Sequence, residues 1–259
     1  MIVTQELQFQ TGSATHVGLV RDVNEDNHLI AADRGIWLVA DGMGGHSNGR
    51  LASATVVEAV RSVSPAASAP DLLARFEDRI HRANAELLKL AGDDGETVIG
   101  ATVAALLSFG GYFACVWSGD SRVYLVRDGA IAQLSRDHTE VQELVDRGSI
   151  KPSEAKLWPG RNVVTRAVGV FDDPALEVVQ GEIRAGDIFV LCSDGLTGHV
   201  DDREILSHAT RSSPQEACEA LIKLTLERGA RDNVTVIVID CQIGERTPSP
   251  TVLDSRDGQ

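Results

Sequence analysis

Basic residues are scarce in this 259-residue chain. Lysine and arginine total 24 against 38 aspartates and glutamates, a formal charge of −14. That balance excludes a general nucleic-acid binder, whose basic surface must replace the counterions on phosphate. It leaves open an anionic substrate handled through bound cations, which invert the local field. Most of the excess acid reads as a solvated surface that aids solubility. Cysteine is also rare. Cys115, Cys192, Cys218 and Cys241 form no C-x-x-C pair, and three lie in apolar strand-like runs. They read as small buried hydrophobes rather than disulfides or thiolate metal ligands. No apolar run is long enough to cross a bilayer, and the N-terminus lacks the basic and apolar regions of a signal peptide. A soluble, cytoplasmic protein without a membrane partner is expected.

What is present is a globular composition, 43% apolar, long enough for one large or two small domains. One stretch organises it. Ile36 to Ala40 is an unbroken apolar run that ends in Asp41, followed by Gly42, Met43, Gly44, Gly45 and His46. The run suits a buried strand, and the glycines suit a tight loop approached closely by other backbone. An acid at that junction is costly to bury unless it is hydrogen-bonded or binds a metal. Asp41 is therefore a loop carboxylate in water or a ligand.

Taken in order, residues 1 to 11 have little pattern, a loose arm or an edge strand. Strands are predicted at 16–20, 28–32 and 36–40, then a helix over 51–63. A Ser/Ala/Pro linker, 64–70, precedes a helix over 71–90 with Asp71 as its cap. A β meander follows at 98–108, 112–117, 123–127 and 130–134, with hairpin turns at Gly110-Gly111 and Asp128-Gly129. A helix over 137–147 leads into 148–162, a flap or small subdomain on the surface. Strands resume at 162–168, 176–183 and 187–192. Helices at 201–210 and 214–228 and a strand at 233–240 complete a domain spanning 1–243. Residues 244–259 are polar and Pro-containing, expected to be a disordered tail. Strands in two batches, each with a helix pair, describe an α+β fold: two antiparallel sheets face to face with helices outside.

Four aspartates share one context. Asp41, Asp120, Asp194 and Asp232 all sit at strand-to-loop junctions, three with glycine beside them. Carboxylates that converge repel one another, and cations remove that conflict. Oxygen-only ligands suit hard ions, Mg²⁺ or Mn²⁺. Two such ions can clamp an in-line displacement, which is phosphoryl-transfer or hydrolysis chemistry. Glu25 and Asp26 add acids at another strand end, and Arg21 offers a guanidinium suited to bidentate phosphate binding. Singly, each strand-end Asp is more often a turn former or helix cap.

The segments RDVNEDN, VADGMGGH, GDSR, SRDHT, TRAVG, CSDGLTGHV and RDNVTVIV occur in order across residues 21 to 239. Together they resemble the bacterial branch of the metal-dependent PPM phosphatases, protein phosphatase type 2C. The resemblance implies a four-layer α-β-β-α sandwich that removes phosphate from phosphoserine and phosphothreonine in proteins. By motif, Asp41 would bridge two Mn²⁺ or Mg²⁺ ions, with the Gly42 carbonyl on the second. Asp194 and Asp232 would hold the first. Glu25 would serve the second, and Asp26 would orient waters. Arg21 would bind the substrate phosphate, and Asp120 would join Asp194 at a third metal, as in bacterial members. A metal-bridging hydroxide would then attack phosphorus directly, without a phospho-enzyme. A cognate Ser/Thr kinase is the implied partner, and a monomer the default.

Animal members carry a His acid two residues after the bridging Asp. Here that place is Met43, which cannot donate; bacterial relatives share it. His46 is a nearby alternative acid, though a loop His is more often structural. His138 reads as a brace for the helix beside it. Arg161, Asn162 and Arg166 could meet substrate or serve the surface, and Trp117 and Trp158 read as packing. Two rival functions share the scaffold: a catalytically silent regulatory module, and a small-molecule phosphohydrolase, for which no nucleotide-binding loop is found.

Overall fold

The computed structural model describes residues 6–45, 47–92, 97–155 and 157–244. The predicted tail therefore lies outside the described residues, except for Gly244, and so does His46.

Two antiparallel sheets form the middle of the molecule. The first contains β1 (Glu6–His16), β11 (Val234–Gly244), β10 (Ile188–Cys192), β7 (Arg122–Arg127) and β8 (Ala130–Gln133), in that spatial order. The second contains β2 (Asp26–Ala31), β3 (Ile36–Met43), β5 (Val103–Phe109), β6 (Tyr112–Ser118) and β9 (Glu177–Glu182), with the two-residue β4 (Gly100–Ala101) also paired to β3. Helices α1 (Asn48–Arg61) and α2 (Ala69–Ala91) cover the second sheet. Helices α5 (Asp194–Thr197), α6 (Asp202–Arg211) and α7 (Pro214–Glu227) cover the first. The short α3 (Glu140–Asp146) and α4 (Pro152–Ala155) lie in the 137–162 region. This is the α-β-β-α sandwich expected of the sequence.

Burial on both faces explains the unbroken apolar runs. In β3, Ile36, Leu38 and Ala40 enter the core under α1 and α2, while Trp37 and Val39 enter the core between the sheets. In β11, Val234, Val236 and Val238 face α7, and Ile237, Ile239 and Cys241 face the other sheet. All four cysteines are buried and free. Helices α2, α3, α6 and α7 begin at side-chain caps. Asp201 with Glu204 and Ser213 with Glu216 form capping boxes at α6 and α7.

Several boundaries differ from the sequence reading, each for a local reason. The first strand is β1, which pairs with β11 along its whole length. Beyond His16, which ends β1, residues 17–20 are not strand, because Gly18 takes φ +84° and turns the chain. The second helix starts at Ala69 with Ser68 as cap; Asp71 instead accepts from Ala67 N–H and pairs with Arg75. The expected strand at 98–108 divides into β4 and β5, with Thr102 between them. Residues 162–168 form only isolated bridges, Thr139 with Val164 and Ala101 with Val168, because they lie across two elements rather than along one. The helix near 137 starts later, capped by Thr139.

Candidate functional site

The site lies at one rim of the sandwich, where the ends of β2, β3 and β10 meet the segment before β11. Asp26 and Asp41 are directly opposite one another on β2 and β3. Like charges in that position destabilise a sheet, so nothing in the strand pairing favours them. Asp41 is within β3 rather than just beyond it, held by its own backbone. Its N–H donates to Thr102 Oγ1 at 3.2 Å, and its carbonyl accepts from Thr102 N–H at 2.8 Å.

Asp194 opens α5 immediately after β10 and Ser193. Gly195 lets this turn press onto the Asn233 carbonyl, where a Cβ would collide. That close approach draws Asp194 towards Asp232. Ser193 turns inward and donates to Asp26 Oδ2 at 2.7 Å. Asp26 Oδ1 is buried and has no hydrogen-bond partner among the described residues. On the other side of Asp41, the Gly42 N–H donates to the Glu25 carbonyl at 3.2 Å. The Gly42 carbonyl and Glu25 Oε1 both lie within 2.7 Å of the point a Gly49 Cβ would occupy, so α1 needs glycine there.

The carboxylates feel one another. Burial, and then the charges of Asp26, Asp194, Asp120 and Asp232, push the Asp41 carboxyl well above the usual range. Burial raises Asp26 to about 7, against hydrogen bonds from Ser193 and Thr235 that favour its anion. Asp194 rises to about 6 through burial and the nearby Asp232 charge. Asp120 is 7% exposed and is raised by burial and by Asp194. It borders a cleft of about 640 Å³ that it shares with Asp194, Asp137, Arg161 and Asn162. Arg21 is already paired: its Nη2 donates to Asp232 Oδ2 at 2.7 Å, with both side chains near half exposure.

Among the described residues, no three His, Cys, Asp or Glu side chains close into a ready ligand set for one ion. Mg²⁺-like ions keep several waters and take one or two carboxylates each, so a shared pair of ions needs no such trio. The donor set fits them. It is made of oxygens only, its charges repel, and one buried carboxylate oxygen is unsatisfied.

A sequence model of the family described as Protein phosphatase 2C matches residues 20–227. The chain belongs to the protein phosphatase 2C family. The serine/threonine protein phosphatase PstP of Mycobacterium tuberculosis is 39% identical over 225 residues, covering 86% of this chain and 43% of PstP. The chain thus spans less than half the length of that relative. The protein phosphatase PhpP of Streptococcus pneumoniae is 30% identical over 232 residues, 87% of this chain and 94% of PhpP. Among solved structures, PppA of Pseudomonas aeruginosa, described as a key regulatory component of T6SS, has a TM-score of 0.84 at 39% identity, over 90% of this chain and 97% of that one. The catalytic domain of PstP in complex with two manganese ions scores 0.82 at 35% identity, over 92% and 100%.

Sequence reasoning missed the residue that ties this protein phosphatase 2C rim together. Asn233 is 4% exposed and spends its whole amide on the loop carrying Arg21 and Glu25. Its Nδ2 donates to the carbonyls of Val17 and Val23, each at 2.9 Å, and its Oδ1 accepts from Glu25 N–H at 2.8 Å. Its position directly after Asp232 was the only available signal. Asn233→Asp keeps the shape but loses both donors and adds a charge beside Asp232. We expect at least a tenfold rise in the Mn²⁺ concentration needed for half-maximal binding, from two lost buried bonds of about 1 kcal/mol each. Calorimetric titration with Mn²⁺ measures it, and an unchanged affinity counts against the clamp.

His138 also has a defined place. Its Nδ1 accepts from Gly119 N–H at 3.1 Å, its backbone N–H donates to the Gly119 carbonyl at 2.9 Å, and its ring stacks on Trp117. It braces the turn before Asp120 rather than facing the rim. Trp117 is buried and donates to the Arg136 carbonyl, while Trp158 is 37% exposed. Arg166 pairs with Glu177.

Proposed function

We propose that this chain is a Mn²⁺- or Mg²⁺-dependent protein serine/threonine phosphatase that hydrolyses phosphoserine and phosphothreonine. The observation that carries the reading is the meeting of Asp26, Asp41, Asp194 and Asp232 at one rim, where burial and neighbouring charges raise the proton affinity of Asp26, Asp41 and Asp194. Two divalent ions, when bound, lower the pKa of water towards neutrality and offset charge on the phosphoryl oxygens. Asp41 would hold both ions. Asp194 and Asp232 would serve the first, Glu25 and the Gly42 carbonyl the second, and Asp120 with Asp194 a third. Asp26, braced by Ser193, would orient water at the rim. Arg21 exchanges its hydrogen bond to Asp232 for the phosphoryl oxygens, a bidentate partner of the same geometry. Together these charges stabilise the transition state in place.

The substrates in this reading are phosphorylated proteins, and a Ser/Thr kinase supplies them. A monomer suits a chain whose strong net charge opposes self-association. Among the described residues, no helix is long and apolar enough to cross a membrane. The test uses p-nitrophenyl phosphate and a phosphothreonine peptide. Mn²⁺ should support release from both, EDTA should abolish it, and added Mn²⁺ should restore it. Mn²⁺ binding without turnover of either would establish the silent regulatory module instead. Turnover of the aryl phosphate alone would favour a small-molecule phosphohydrolase.

A further inference from the structure

Leu19 and Val20 are 62% and 67% exposed, directly before Arg21. Scattered apolar residues on a surface need no explanation. These two are adjacent, and they are pinned. Leu19 N–H donates to the Ala230 carbonyl at 2.8 Å. Gly18 lies so tightly on the carbonyls of Asp232 and Ala230 that a Cβ would collide with both. Asn233 ties down Val17 on one side and Val23 on the other. Folding gains little from holding two large apolar side chains in water, yet the loop presents them at fixed positions.

Their place relative to Arg21 gives them a use. Successive Cα atoms are about 3.8 Å apart, so Val20 and Leu19 stand one and two chain steps from the guanidinium-bearing residue. A peptide whose phosphate is held by Arg21 carries its own neighbouring side chains at the same spacing. The cleft beside Asp194 is lined largely by polar and charged residues, including Asp201, Asp202 and Arg203. The loop before Arg21 therefore differs from it in character.

We propose that Leu19 and Val20 form an apolar shoulder that reads an aliphatic or aromatic side chain one or two positions from the phosphorylated residue of a protein substrate. This rests on the phosphatase reading above. The test compares phosphothreonine peptides that differ only in having Leu or Ser at positions flanking the phosphothreonine, with p-nitrophenyl phosphate as a substrate that cannot reach the shoulder. The parent protein should prefer the Leu peptide by about tenfold in kcat/KM, the effect of burying one such side chain. The Leu19→Ser, Val20→Ser double variant should lose that preference while hydrolysing the aryl phosphate at the parent rate, which also shows it is folded. Leu19→Met with Val20→Ile should retain the preference. A parent that does not discriminate, or a serine variant that still does, overturns the shoulder. Failure of the parent to hydrolyse the aryl phosphate overturns the phosphatase reading, and the shoulder with it.

Discussion

Replacing Asp41 by asparagine is expected to reduce kcat for an aryl phosphate by about 10³ or more and, at the same time, to stabilise the metal-free protein. The two effects have one cause. Asp41 is the acid on which the others converge: it faces Asp26 across the β2–β3 pair and is pressed by Asp194, Asp120 and Asp232. Without cations that arrangement is costly; in the proposed reading Asp41 would be the ligand shared by two ions. Asparagine has the same shape, and the bonds to Thr102 come from the Asp41 backbone, so the strand is undisturbed. Removing one charge relieves like-charge contacts worth up to about 1 kcal/mol, or about 2–4 °C in Tm for a domain of this size. Losing the shared ligand costs transition-state stabilisation of about 4 kcal/mol, the equivalent of the 10³ in rate. Asp194→Asn should behave alike. A residue needed only for folding would lower Tm and activity together. That result, or retention of activity, would remove Asp41 from the centre of the site.

Opposite responses of stability and rate also show what could be read from the sequence. The run Ile36 to Ala40 was legible because both faces of β3 are buried, so nothing interrupts the apolar pattern. Three of the aspartates were legible because each sits beside a turn or close backbone approach, as at Gly42 and Gly195, and glycine records that need; Asp232 has no glycine beside it. Their roles came through the resemblance, since a lone strand-end Asp is ordinary. Strand β1 was obscure. Only Leu7 and Phe9 mark its buried face strongly, and Gly12 is there because α7 backbone packs against it. Leu19 and Val20 suggested a strand at 16–20 because apolar residues usually indicate burial; here they are exposed and the backbone turns at Gly18. Two features depend on contacts too distant in sequence for any local pattern to report. One is the Arg21–Asp232 pair, and the other is the Asn233 clamp, whose partners are more than 200 residues away.

The second large effect is on the pH dependence of the metal-free protein. Asp26, raised to about 7, and Asp194, raised to about 6, hold protons in the folded state that the unfolded chain has released. A raised carboxyl contributes its stability fully below the unfolded pKa near 4, and that contribution is lost as pH rises through 6 and then 7. The cost of ionising Asp26 in place is on the order of 4 kcal/mol at pH 8. His28, His138 and His199, all lowered by burial, act in the opposite sense as pH falls through 6.5. They are present in both proteins when the parent is compared with Asp26→Asn, so they cancel. Depressed acids such as Glu204, held near 2 by Arg228, act only below about 4. The expected result is that the advantage of Asp26→Asn over the parent in EDTA is small at pH 5 and grows to several degrees in Tm at pH 8. Saturating Mn²⁺ should stabilise the parent at pH 8, by about 2.7 kcal/mol at a hundredfold excess over Kd, and much less at pH 5, where protons compete for the same oxygens. A parent and variant that track each other from pH 5 to 8 would mean that Asp26 is not held in a buried site facing other acids. The rim would then lack the electrostatic reason to hold cations.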